Sequence, residues 1–155
     1  MEIRRANKKD INRILDLLSQ VLEVHAKLRP DLFVSGTTKY SKDQLSLMVE
    51  DDNNPIYVAI MDDEVVGYAM CQTRVPTSNM YPKKIFHLDD LCVDEKHREK
   101  HIGKTLFEYV VNEAKNRDCY EITLNSWPDN VAAQNFYKKM GTKVRSIVLE
   151  YIIDK

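Results

Sequence analysis

The chain has 155 residues, 43% of them hydrophobic and 30% charged, which fits one domain over 1–155 with enough apolar matter for a core. Lys+Arg 23 against Asp+Glu 24 leaves a net charge of -1, so a broadly basic nucleic-acid binder is excluded, since counterion release needs concentrated positive charge. The longest apolar run, 56–61, is far short of the ~20 residues a membrane span needs.

A short strand is predicted over 2–5. Asn7 and Asp10 form a capping-box pair that opens a helix. Its residues Ile11, Ile14, Leu15, Leu18, Val21 and Leu22 recur at helical spacing, to about His25. Pro30 and Gly36 mark the loop that follows, and Ser41 with Gln44 is a second capping box before a short helix to about Glu50. Strands are predicted over 56–61 and 65–73 around a turn at Asp62 and Asp63, and another over 85–93. A charged loop then leads to a helix over 104–116 with Leu106, Val110 and Ala114 on its inner face. A strand over 121–126, a helix over 130–140 ended by Gly141, and a last strand over 144–152 complete the order βααβββαβαβ. This is an α/β chain with a mixed, mostly antiparallel sheet and helices on both faces. Cys71, Cys92 and Cys119 lack CxxC spacing and read as reduced thiols. The N-terminal MEIRRANKKD has no apolar stretch of the kind a secretory signal carries. A cytoplasmic protein is expected.

Two segments carry chemistry. The first, 88–115, runs from a strand through a basic loop and Gly103 into an amphipathic helix. The first N–H groups of a helix lack intrahelical partners and its dipole favours negative charge there. Lys96, Arg98, Lys100 and Lys104 add positive potential, while Gly103 permits close approach of an anion. A solvated charged loop before a capped helix has the same appearance. The second segment, 125–141, places Ala133, Phe136, Tyr137 and Met140 on one helix face. Core packing accounts for Phe136 and Met140, whereas the Tyr137 hydroxyl needs a partner when buried.

Together these segments resemble the GNAT superfamily of N-acetyltransferases. The family's R/Q-x-x-G-x-G/A motif is matched by Arg98, Glu99, Lys100, His101, Ile102 and Gly103, and its N-x-x-A-x-x-F-Y-x-x-x-G motif by Asn130, Ala133, Phe136, Tyr137 and Gly141. The motif's first glycine is His101 here; a left-handed backbone at that position costs a non-glycine residue roughly 1–2 kcal/mol. The resemblance implies acetyl-CoA as co-substrate and no metal. Its pantetheine arm would lie on the backbone of Leu91, Cys92 and Val93, and its diphosphate on Arg98 to Thr105, including Lys104. Asn130, Ala133, Phe136 and Tyr137 would complete that site, with Tyr137 as general acid.

The family's base position on the fourth strand is occupied by His87, whose imidazole suits proton removal near neutrality. Asp89 is the second candidate, acting through water. Strict alternation puts His87, Asp89 and Leu91 on one face and Leu88, Asp90 and Cys92 on the other, so no Cys92–His87 pair is expected unless a bulge intervenes. His87 is also readable as a hydrogen-bonded sheet residue, and Asp89 or Asp90 as loop contacts or amine partners. The acceptor, a small-molecule or peptide amine, would meet His25, Phe33, Tyr81, Asn125 and Trp127. Paired aspartates favour a cationic amine. A GNAT-fold protein that binds acyl-CoA or a partner without catalysis is the other reading. The last strand, if exposed, would offer a homodimer contact.

Overall fold

In the computed structural model, residues 1–153 are described, as two units: 1–125, and 126 onward. The first unit carries β1 (Glu2–Arg5), α1 (Ile11–Leu28), α2 (Lys42–Met48), β2 (Ile56–Met61), β3 (Glu64–Arg74), β4 (Ile85–Val93), α3 (Ile102–Asn116) and β5 (Glu121–Leu124). Short 3₁₀ turns occupy Lys8–Asp10 and Glu95–His97.

Local chemistry explains most boundaries. Asn7 accepts from the Lys9 N–H while Asp10 accepts from the Asn7 N–H at 2.8 Å, and Asp10 is gripped by Arg4 through two bonds of 2.8 and 3.0 Å. The box therefore ties β1 to the start of α1 as well as capping it. Ser41 and Gln44 close the second box at 3.1 and 2.8 Å. Asp62 and Asp63 both have positive φ, 49 and 63°, the geometry of the two-residue hairpin turn whose twist matches the flanking strands.

The sheet order is β1-β2-β3-β4-β5, antiparallel throughout except for the parallel β4–β5 pair. Ile11, Ile14, Leu17 and Leu18 of α1 and Leu45 of α2 pack with Ile56, Val58, Tyr68, Met70 and Cys92 on one face. α3 covers the other face. A Cβ on Gly67 would lie 2.8 Å from the Cys92 carbonyl and 3.1 Å from Leu106 Cδ1, so the glycine lets α3 seat against β3 and β4.

The second unit holds α4 (Val131–Lys139). Asn130 caps it, accepting from the Ala133 N–H at 3.2 Å, and Gly141 at φ 89° ends it. The expected strand over 144–152 is absent: residues 141–153 are exposed and form no strand. A strand needs a neighbour to satisfy its backbone, and propensity alone does not supply one.

Candidate active site

β4 holds the organising feature. Its ladder with β3 pairs Leu88 with Cys71 and Asp90 with Met70, which leaves Asp89 as the extra residue of a bulge. The bulge overturns strict alternation. His87, Asp90 and Cys92 stand opposite Gln72, Met70 and Tyr68, so all three share the face that α1 and α2 cover. Cys92 and His87 are thus on one side, yet the Cys92 thiol is no nucleophile: it is buried, donates to the Leu17 carbonyl, and burial pushes its pKa well up.

On the other side of β4, the β5 ladder starts at Ile85–Glu121 and ends at Leu88–Leu124, whereas β4 runs on to Val93. Among the described residues, 89–93 carry no β5 partner, so backbone groups of Leu91, Cys92 and Val93 form an open strand edge. At its end sits Asp94, 2% exposed, which accepts from the Lys96 N–H at 3.2 Å and from Gln20 at 3.3 Å and pairs with Arg13. Burial pushes its carboxyl up, but these bonds outweigh it and hold the pKa down to about 2. Asp94 pins the loop that follows to α1, a role that no local spacing announces, because both partners lie more than 70 residues upstream.

That loop enters α3 through left-handed residues, Glu99 at φ 66° and His101 at φ 59°. His101 therefore keeps the backbone conformation that favours glycine. No side chain caps α3, and Arg98, Glu99, Lys100, His101 and Lys104 are exposed around its first turn. Thr105 donates through N–H and Oγ1 to the His101 carbonyl, at 3.0 and 2.9 Å. Ile102 is 1% exposed and anchors the helix in the core, so its side chain is unavailable to a ligand.

A polar cluster lies beside the bulge. Asp89 accepts from the Tyr40 hydroxyl at 2.7 Å and Lys39 at 3.1 Å, and Asp90 accepts from Tyr68 at 2.6 Å. Desolvation raises the Asp90 carboxyl above its ordinary range, against the opposing Tyr68 bond and Lys39 charge. His87 is 4% exposed, its Nδ1 lies 2.8 Å from Thr123 Oγ1, and burial lowers its pKa so that it is neutral at pH 7. His25, stacked at 5.1 Å on Phe33, is likewise lowered by burial, with Asp90 and Lys39 the charges it feels. The structure thus gathers His25, Phe33, His87, Asp89 and Asp90. Lys39, Tyr40 and Tyr68 join them without a sequence signal of their own.

Tyr81 is 83% exposed in the β3–β4 loop, and Asn125 is exposed just past β5. Trp127, Asn130, Ala133, Phe136 and Tyr137 belong to the second unit. There Gln134 donates to the Ser126 hydroxyl and the Trp127 carbonyl, the Phe136 and Tyr137 rings meet edge-to-face at 5.0 Å, and Thr142 Oγ1 donates to the Tyr137 carbonyl. Among the described residues no group of three His, Cys, Asp or Glu could hold a metal, and no helix is long and apolar enough to cross a membrane.

The first unit thus joins a strand pair that opens part-way to a helix with no side-chain cap. The acetyltransferase (GNAT) family pattern matches residues 21–142, and the chain belongs to that family. It is 31% identical over 100 residues to glucosamine 6-phosphate N-acetyltransferase of Arabidopsis thaliana, covering 63% of this chain and 65% of that protein. It is 25% identical to streptothricin acetyltransferase of Escherichia coli over 86% of this chain and 73% of the relative. The chain thus spans a little under two thirds of the plant protein and about three quarters of the bacterial one. Among solved structures, a tetramutant of the BH1408 protein from Bacillus halodurans matches with TM-score 0.93 and 26% identity, over 99% of this chain and 100% of that one. Aminoglycoside N-acetyltransferase AAC(6')-Iy in complex with CoA shares the fold, with TM-score 0.73 and 18% identity over 99% and 100% of the two chains.

Proposed function

We propose that the protein transfers the acetyl group of acetyl-CoA to a primary amine by direct attack in a ternary complex. The observation that carries this reading is the open β4 edge: β4 runs through Leu91, Cys92 and Val93 beyond the end of its ladder with β5, which leaves strand backbone that an extended amide chain could pair with. Downstream, the N–H groups opening α3, with Arg98, Lys100 and Lys104, offer a site for a diphosphate.

The amine side of the reaction is assigned to the cluster at the bulge. Asp89 and Asp90 attract a cationic acceptor, and one relative is, by its name, an N-acetyltransferase of glucosamine 6-phosphate. Asp90 takes the amine proton as nitrogen attacks the thioester carbonyl; its raised pKa makes it a stronger base than an ordinary carboxylate. An N–H near Leu91 donates to the carbonyl oxygen as it gains charge. The C–S bond then breaks, and Tyr137, which holds the family's tyrosine position, donates its proton to the sulfur. Buried His87 is the alternative base because burial keeps its imidazole unprotonated and able to accept a proton, with Asp89 acting through water as a further route. The strain of left-handed His101 counts against tight cofactor binding and efficient turnover, which favours the second reading, a GNAT-fold acyl-CoA-binding or interaction protein without catalysis.

Release of free thiol in the presence of a panel of amines separates the two. Tyr137→Phe is expected to lower kcat at least tenfold with little change in KM for acetyl-CoA. Equal losses in both would assign Tyr137 to packing, and binding of acetyl-CoA with no thiol released on any amine would favour the non-catalytic reading.

A further inference from the structure

Arg74 ends the row of β3 side chains that carries the amine cluster. The ladder sets Met70 opposite Asp90, Gln72 opposite His87 and Arg74 opposite Ile85. Residues two apart on a strand share a face, so Gln72 and Arg74 continue the side on which Asp90 and His87 stand. Arg74 is exposed, and its Nη2 donates to Oε1 of half-buried Gln72 at 2.7 Å, which holds the guanidinium over that face. Burial lowers the His87 pKa and the charges of Arg74 and Lys39 lower it further, so the imidazole lies within reach of both cations.

The two cations differ in what answers them. Lys39 has Asp89 at 3.1 Å. Arg74 bonds only to a neutral amide and, among the described residues, meets no carboxylate. Elsewhere in the first unit Arg4, Arg5, Arg13, Arg29 and Arg117 each pair with an acid, and Arg98 stands in the proposed diphosphate site. Arg74 is therefore the arginine left over, steered by Gln72 and set beside carboxylates suited to an ammonium group. A guanidinium presents a planar fork of donors that matches a carboxylate or phosphate.

We propose that Arg74 is a specificity residue that binds an oxyanion on the acceptor, so that the acceptor is a small primary amine carrying a phosphate or carboxylate several bonds from its nitrogen. This rests on the reading above, in which the amine meets Asp90. The spacing sets the length. Met70 and Arg74 lie four residues apart, about 13 Å at roughly 3.3 Å per residue, and the bond to Gln72 draws the guanidinium back by up to two residues, leaving about 7–13 Å between the two poles. An α-amino acid, whose ammonium and carboxylate share one carbon, is too short to reach both.

The test uses the full chain with acetyl-CoA and amines of one chain length: 6-aminohexanol, 6-aminohexanoate, 6-aminohexyl phosphate and 1,6-diaminohexane. Initial rates and calorimetric binding are both measured. The expected result is a kcat/KM at least tenfold higher for the two anion-bearing amines than for the alcohol, the phosphate and carboxylate arms showing which oxyanion is preferred. Arg74→Glu is expected to abolish that preference and to favour the diamine, while 6-aminohexanol stays within about twofold of wild type. Equal rates for all four amines, or a preference that survives Arg74→Glu, overturn the proposal and leave the acetyl-transfer reading standing. Should no amine be acetylated, that reading fails and binding decides. Anion-bearing amines held at least tenfold more tightly by the wild type than by Arg74→Glu then support the oxyanion site, and equal or absent binding overturns it.

Discussion

Asp94 ties the loop before α3 to α1, and its replacement by asparagine tests what that tie contributes. The carboxyl is held at about 2 against an ordinary value of 3.8. That depression corresponds to roughly 2 kcal/mol of stability, at about 1.4 kcal/mol per pH unit. An asparagine there would keep an acceptor for the Lys96 N–H but lose the charge that faces Arg13. Arg13 retains Glu64 at 3.2 Å and Asp16 at 3.9 Å, so the loss stays below the roughly 3–5 kcal/mol seen when a buried charge is left alone. Asp94→Asn is therefore expected to cost about 2–3 kcal/mol in urea unfolding at pH 7, or about 4–12 °C in Tm for a chain of this size. Because the folded pKa is the lower one, this contribution is complete above about pH 4 and disappears as pH falls through about 2. The gap between the two proteins must therefore narrow over that window. An equal gap at pH 5 and pH 2 would refute the ion-pair account and leave only a shape effect. The same substitution loosens the backbone that follows β4, so KM for acetyl-CoA is expected to rise several-fold with kcat changed less.

Gly67→Ala places a methyl group 2.8 Å from the Cys92 carbonyl oxygen, a contact only backbone movement relieves, and is expected to destabilise by about 1–3 kcal/mol in thermal or urea unfolding. Asp90→Asn is expected to abolish most turnover while raising stability at pH above the ordinary carboxylate range: a carboxyl whose folded pKa is elevated opposes folding increasingly as pH rises from its unfolded value through the folded one. With Asp90 as the proposed base, the acid limb of the wild-type kcat/KM profile is expected to vanish in that variant. If the limb persists there and disappears in His87→Gln instead, the imidazole is the base.

Much of the first unit was legible because its signals are local. The stripe from Ile11 to Leu22, the Asn7–Asp10 and Ser41–Gln44 boxes and the Asp62–Asp63 turn each depend on residues within a turn or two of one another, and each element forms where the pattern places it. α1 continues to Leu28 and α3 begins at Ile102, shifts of a few residues that terminal fraying and capping geometry govern. What the sequence hid is non-local. Tyr40 and Lys39 reach Asp89 across about 50 residues, and Arg13 reaches Asp94 across 81. No spacing within a window records such meetings. The last segment reads as a strand from its β-branched residues, but strand formation depends on a partner that the sequence of a single segment does not specify.

The bulge at Asp89 shows how a one-residue irregularity produces the site. Without it, Asp90 would face α3 and the apolar packing around Gly67, where a carboxylate has no donor. With it, Asp90 turns to the α1 face and meets Tyr68, while Asp89 is left free of the ladder to accept from Tyr40 and Lys39. The ladder with β5 stops at Leu88, one residue before the bulge, so the open strand edge and the two carboxylates adjoin along β4. Removing Asp89 altogether would leave Leu88 opposite Cys71 and Asp90 opposite Met70, so Asp90 keeps its face and its Tyr68 bond while the Tyr40 and Lys39 contacts are lost. Asp89→Ala removes the same two contacts but keeps the extra residue, so a larger fall in kcat/KM in the deletion than in Asp89→Ala is the expected signature of the bulge itself.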